Sequence, residues 1–229
     1  MLWGVLLMLL SCSEEKKGRK IVRWGDSLTA PPLVDKSFKG LLKSMIYGDY
    51  SYPAFLQESL GDDYEIINAG VGGEKTDTIR KGTILKTKAM RELRGAYCSI
   101  FFIGQNGGYS STRELIAQLN AMINYSKSKH YIVISHPVPN QVEKNAKEMC
   151  MMEDSLGQEF GSSFINLRRY LVSSGLHDAG LVPTDEDIVA VKQGKCPPQL
   201  LKDGTHFTKD GYKLIAKLVE DKIKKMNNE

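Results

Sequence analysis

Ile21-Val22-Arg23-Trp24-Gly25-Asp26-Ser27-Leu28-Thr29 is the stretch from which the fold of this 229-residue chain can be read. Ile21 to Trp24 reads as a buried strand, and Gly25 onward as the turn that ends it. A serine just past a strand end sits where open α/β sheets collect their ligands. Such a turn can hold a hydroxyl out of the sheet with backbone N–H groups beside it. Ser27 is therefore a candidate nucleophile, provided a base and oxyanion donors lie elsewhere in the chain. Taken alone, it reads equally well as a helix N-cap.

Outward from this stretch, strand and helix patterns alternate. Strands are expected at 20–25, 64–68, 97–103, 130–135 and 164–167. Helices are expected at 50–60, with Pro53 in the first turn, and in the polar stretch 76–94. A third starts at Ser111, which with Glu114 forms a capping-box pattern ahead of the apolar stripe Leu115, Leu119, Met122 and Ile123. A fourth should open at Asn140 with Glu143, and the last near Thr208, carrying Tyr212, Ile215, Ala216, Val219 and Ile223. His136-Pro137-Val138-Pro139 stops the fourth strand, and His136 and Trp24, at strand ends, read as packing or turn residues rather than as contacts to a substrate. Residues 168–199 read as mixed, with a short helix near Leu171 and an irregular remainder. The continuous apolar runs suit strands covered on both faces. Five alternations predict a parallel sheet of about five strands with helices on both faces, an α/β sandwich. In that sheet the loops after the first three strands share one edge. They carry Ser27, the turn Ala69-Gly70-Val71-Gly72-Gly73, and Asn106. The irregular segment 30–49 follows Ser27 directly and reads either as a flap over the site or as a surface loop.

With 41% hydrophobic residues, the chain can build one sizeable core. The net charge of +4 is small, and no Lys/Arg block is long enough for a nucleic-acid track. Residues 2–10 are almost wholly apolar, too few to span a bilayer, which takes ~20. They fit the core of a secretory signal. Leu9-Leu10-Ser11-Cys12 resembles a bacterial lipobox in which Cys12 becomes the lipidated first residue, although no Lys or Arg precedes the apolar run. Residues 1–19 then divide into signal and polar tether, and 20–229 form the working domain. The expected location is an exported lipoprotein held to the membrane only through its N-terminal lipid. Cys98 lies in an apolar run and reads as core. Cys150 and Cys196 could pair in an exported protein, but their separation is not readable from sequence. No Cys-x-x-Cys or His-x-x-x-His spacing suggests a metal site.

Acyl transfer by a serine also needs a base, a group that orients it, and donors aimed at the developing oxyanion. Asp203-Gly204-Thr205-His206 offers the base and its orienting acid three residues apart. The backbone of residues 70–73 and the side-chain amide of Asn106 offer donors on the same sheet edge.

Together these segments resemble the four blocks of the GDSL, or SGNH, family of serine esterases and lipases. Gly25-Asp26-Ser27-Leu28 matches the first block, and Asn68-Ala69-Gly70-Val71-Gly72-Gly73 the second. Gly104-Gln105-Asn106-Gly107 resembles the third, usually Gly-x-Asn-Asp, with Gly107 in place of the Asp. Asp203-Gly204-Thr205-His206 matches the last. The resemblance implies a three-layer α/β/α sandwich of flavodoxin type. It also implies a Ser27–His206–Asp203 triad, an oxyanion hole from Gly73 and Asn106, and ester hydrolysis without metal or organic cofactor. The substrates implied are small-molecule, glycan or lipid esters, with a carbohydrate O-acetyl or acyl ester favoured over a lysophospholipid. A phosphate-cradling mononucleotide binder and a non-catalytic binding lipoprotein are the competing classes. The first lacks Gly-x-x-x-x-Gly-Lys-Ser/Thr, and the second would leave a complete set of triad and oxyanion residues without use.

Overall fold

The computed structural model describes residues 18–30, 51–77, 91 and 93–227. Cys12, the segment 31–49 and most of the helix expected at 76–94 lie outside the described residues.

Five strands form one sheet: β1 (Arg19–Gly25), β2 (Tyr64–Asn68), β3 (Cys98–Phe102), β4 (His130–Ile134) and β5 (Phe164–Ile165). All pairings are parallel, in the order β2-β1-β3-β4-β5. Because both faces are covered, apolar side chains alternate between two cores rather than between core and water. On one face Ile21, Ile100, Phe102, Ile132 and Ile134 pack against Tyr52 and Leu56 of α1 (Tyr52–Leu60) and Ile215, Val219 and Ile223 of α5 (Lys209–Met226). On the other, Val22, Trp24, Phe101 and Val133 pack against Leu115 and Leu119 of α2 (Thr112–Ser126) and Met149 and Leu156 of α3 (Ala146–Phe160). This is the expected three-layer α/β/α sandwich. The chain leaves β1 toward β2 on one side and returns to β3 on the other. The crevice beyond their carboxyl ends is therefore the switch point at which such sheets bind ligands.

Arg23 departs from the apolar reading of β1. It is 1% exposed, facing the Tyr52 ring at 5.3 Å, and burial lowers its pKa from 12.5 to about 10. Three local expectations also change. The fourth helix starts at Ala146, capped by Asn145, not at Asn140. The Asn140 side chain does accept the N–H groups of Val142 and Glu143, like a cap, but the chain then turns away instead of coiling. Ser111 caps α2 as expected, yet the Glu114 carboxylate bonds Ser110, so the capping box is only half formed. The stretch expected to be irregular holds α4 (Asp185–Lys192), opened by a full capping box between Thr184 and Asp187. Cys98, Cys150 and Cys196 are all free thiols.

Candidate active site

Ser27 lies in the turn that ends β1. The N–H groups of Thr29 and Ala30 both bond the Asp26 carbonyl, at 3.0 and 2.8 Å, so the chain doubles back within four residues. This tight turn lifts Ser27 to the carboxyl edge of the sheet. Its neighbours admit no side chain at two points. A Cβ on Gly25 would lie 2.3 Å from the Phe102 carbonyl oxygen, and one on Gly70 would lie 2.6 Å from the Ala30 nitrogen. The second-block turn is stitched to the first: Asn68 Nδ2 donates to the Thr29 carbonyl at 2.9 Å, and the Val71 N–H to the Gly25 carbonyl at 2.9 Å.

His206 comes from the loop ahead of α5. Its Nε2 lies 3.0 Å from Ser27 Oγ and its Nδ1 2.8 Å from Asp203 Oδ2. The other carboxylate oxygen of Asp203 accepts the backbone N–H groups of His206 and Thr205 at 2.8 and 3.1 Å. Partial burial would raise the Asp203 pKa. The bonds from the His206 backbone and ring and from Thr205 outweigh it and hold the carboxyl below its ordinary value. The carboxylate thus stays charged and fixes the tautomer that leaves Nε2 free to accept a proton.

The second- and third-block loops are joined to each other. Asn106 Nδ2 donates to the Glu74 carbonyl at 3.1 Å, next to Gly73, and the Thr76 N–H donates to the Gly107 carbonyl at 3.0 Å. Gly73 is exposed, and among the described residues its N–H has no acceptor.

Asp26, the acid of the first block, is fully buried. Burial pushes its pKa up to about 6, against the lowering pull of the Leu28 N–H, His136, the Gln105 N–H and His206. His136 is 1% exposed and reaches Glu143. Tyr109, Asn140 and Glu143, which carried no functional reading in the sequence, join it beneath the third-block loop. The one signal for them was the arrest of β4 at His136-Pro137, at the same sheet edge as Ser27.

No protein-family profile matches the chain, and no curated protein does. Solved structures do. A lipase/acylhydrolase from Enterococcus faecalis superposes with a TM-score of 0.56 at 21% identity, covering 91% of this chain and 96% of the other. A carbohydrate acetylesterase family member from Sinorhizobium meliloti gives 0.57 at 14% identity, covering 91% and 98%. An acetyl xylan esterase from Geobacillus stearothermophilus gives 0.57 at 16% identity, covering 91% and 96%. The chain has their fold. It is the architecture that the resemblance to the GDSL/SGNH esterases implied, and the superposition runs nearly the full length of both partners.

Proposed function

We propose that this protein is a serine esterase of the GDSL/SGNH type. The observation that carries the reading is the Ser27–His206–Asp203 hydrogen-bond chain at 3.0 and 2.8 Å, assembled from the two ends of the domain. His206 takes the Ser27 proton as Oγ attacks the ester carbonyl. Gly73 N–H and the Asn106 amide hold the oxyanion, and His206 returns the proton to the leaving alcohol. Water then clears the acyl-enzyme by the same route. The chemistry calls on no metal or organic cofactor.

The favoured substrate is a carbohydrate O-acetyl or short O-acyl ester. Two of the structural neighbours are described as acetylesterases of carbohydrate or xylan. Export and anchoring through Cys12 are tested by metabolic labelling with a palmitate analogue, which Cys12→Ser should abolish.

The deciding experiment for the activity is labelling of the protein with a fluorophosphonate probe, wild type beside Ser27→Ala. Labelling lost in the variant supports the esterase. Absence of labelling in folded wild type overturns it in favour of a binding lipoprotein. An ester series from acetyl to long acyl then separates the carbohydrate esterase from the lysophospholipase.

A further inference from the structure

The third-block loop carries Asn106, yet Gly107 stands where the block that the loop resembles usually has an Asp, so the loop brings no carboxylate at that position to hold its shape. Besides its bonds to the second-block loop and to Gln118, the loop is supported in this structure by the segment that follows β4. Asn140 Nδ2 donates to the Gly104 carbonyl at 2.9 Å and to the Tyr109 hydroxyl at 2.8 Å. Tyr109 in turn donates to Glu143 Oε2 at 2.8 Å. The Glu143 and Val142 N–H groups donate to Asn140 Oδ1 at 3.0 and 2.7 Å, which closes the ring. Gln141 Nε2 reaches the Asn106 carbonyl itself at 3.4 Å. The His136 ring lies against Gly104, and its Nε2 is 3.5 Å from Glu143 Oε2, an electrostatic contact more than a strong hydrogen bond.

Tyr109, His136 and Glu143 are all buried. A buried carboxylate is costly unless its partners satisfy it, and as a source of stability it is poor value beside an apolar residue of the same size. Burial would raise the Glu143 pKa, but His136 and Tyr109 outweigh it and keep the carboxyl below its ordinary range. Among the described residues Glu143 Oε1 and His136 Nε2 make no hydrogen bond, so it is the bonds through Tyr109 and Asn140 that hold the segment in one geometry. Every bond of this network ends on the loop from Gly104 to Tyr109 or on the segment that grips it.

We propose that Glu143, acting through Tyr109 and Asn140, is a positioning residue for Asn106, and that this external brace replaces the acid absent at position 107. The inference rests on the reading of Asn106 as an oxyanion donor. Glu143 touches no substrate. It holds the Gly104 carbonyl and Tyr109 in place, and with them the arc of backbone that aims the Asn106 amide. Misplacing a catalytic group by about 1 Å can cost on the order of a hundredfold in rate. Removing one oxyanion donor costs ~10²–10³ in kcat. An effect routed through Asn106 cannot exceed the second figure.

The test is a double-mutant cycle in the whole protein, with 4-nitrophenyl acetate as probe. Glu143→Gln should lower kcat about ten- to a hundredfold with KM within about twofold, because the oxyanion forms only after binding. Tyr109→Phe, which removes one hydroxyl and should leave the fold intact, should lower kcat in the same direction and serves if Glu143→Gln fails to fold. In the Asn106→Ala background both effects should shrink to less than about threefold. Full multiplication of the losses in the double variants would overturn the brace, since Glu143 would then act independently of Asn106. A rise in KM with kcat unchanged would overturn it as well. Failure of the esterase reading looks different: wild type would neither turn over the ester nor take the fluorophosphonate label, and the brace would fall with it.

Discussion

His206 Nε2 lies 3.0 Å from Ser27 Oγ, although 179 positions separate the two residues in the chain. The contact depends on the parallel sheet. β1 delivers Ser27 to the carboxyl edge, and the last loop folds back over the same edge before α5 packs beneath it. The Asp203 bonds then set the ring so that its free nitrogen meets the hydroxyl.

Asp203→Asn is expected to lower kcat by about 10⁴ with little change in KM. The amide would present an N–H group to His206 Nδ1 and favour the wrong tautomer, while Ser27 and the binding surfaces stay in place. Steady-state kinetics on a short aryl ester check this beside Ser27→Ala, for which the loss should be on the order of 10⁶. Equal activity in D203N and wild type would remove Asp203 from the triad.

Asp26 sets a pH dependence of stability. Its folded pKa is raised to about 6 from 3.8, so the native state keeps a proton that the unfolded chain releases. This group's contribution therefore falls as pH rises from about 4 to about 6. A rise of that size corresponds to a loss of about 3 kcal/mol, at most, above that window. Asp26→Asn, which keeps an acceptor for the Leu28 N–H, should be more stable than wild type by up to that amount at pH 7.5. It should match wild type near pH 3.5. Urea unfolding at the two pH values measures the difference, and a gap independent of pH would contradict the assignment.

Gly70→Ala should damage the turn that carries Ser27. The new Cβ would meet backbone atoms of Ala30 and Thr29 at 2.6 to 3.0 Å, and backbone cannot rotate out of the way as a side-chain tip can. Overpacking of this kind costs roughly 1–3 kcal/mol. Thermal unfolding should show the loss together with a fall in kcat, whereas Gly72→Ala, in open space, should cost far less of both.

The Arg168–Glu153 pair predicts a structural effect away from the site. Arg168 Nε and Nη2 bond the two Glu153 oxygens at 2.7 and 2.5 Å, with both side chains buried. Glu153→Ala leaves a buried guanidinium without its counter-charge and should cost about 3–5 kcal/mol in urea unfolding. Changing both residues to apolar ones of similar volume should recover most of that loss.

Much of this was legible in the sequence because it depends on local pattern. The continuous apolar run 97–103 is typical of a strand covered on both faces, and five alternations of strand and helix point to the parallel sandwich. Ser27 and Asn106 stood out because each sits in a turn just past an apolar run, and Asp203 and His206 because an acid and a base stand three residues apart. Local signals also misled. Asn140 with Glu143 has the spacing of a helix start, but these side chains serve the loop at Gly104 instead, and only packing reveals that. The capping box at Thr184 and Asp187 was present in the sequence, but Pro183 and the polar residues around it masked α4.

By itself, then, the sequence indicated which segments are strands, which edge of the sheet gathers the polar turns, and which side chains there are candidates for the chemistry. Those are questions of periodicity and residue type. Only the tertiary structure decided that Arg23 and Asp26 are buried, that His206 meets Ser27 at hydrogen-bond distance, and that Glu143 lies beneath the loop of Asn106. Those outcomes depend on contacts between segments far apart in the chain, and no local pattern encodes how deeply a charge is buried or what it faces.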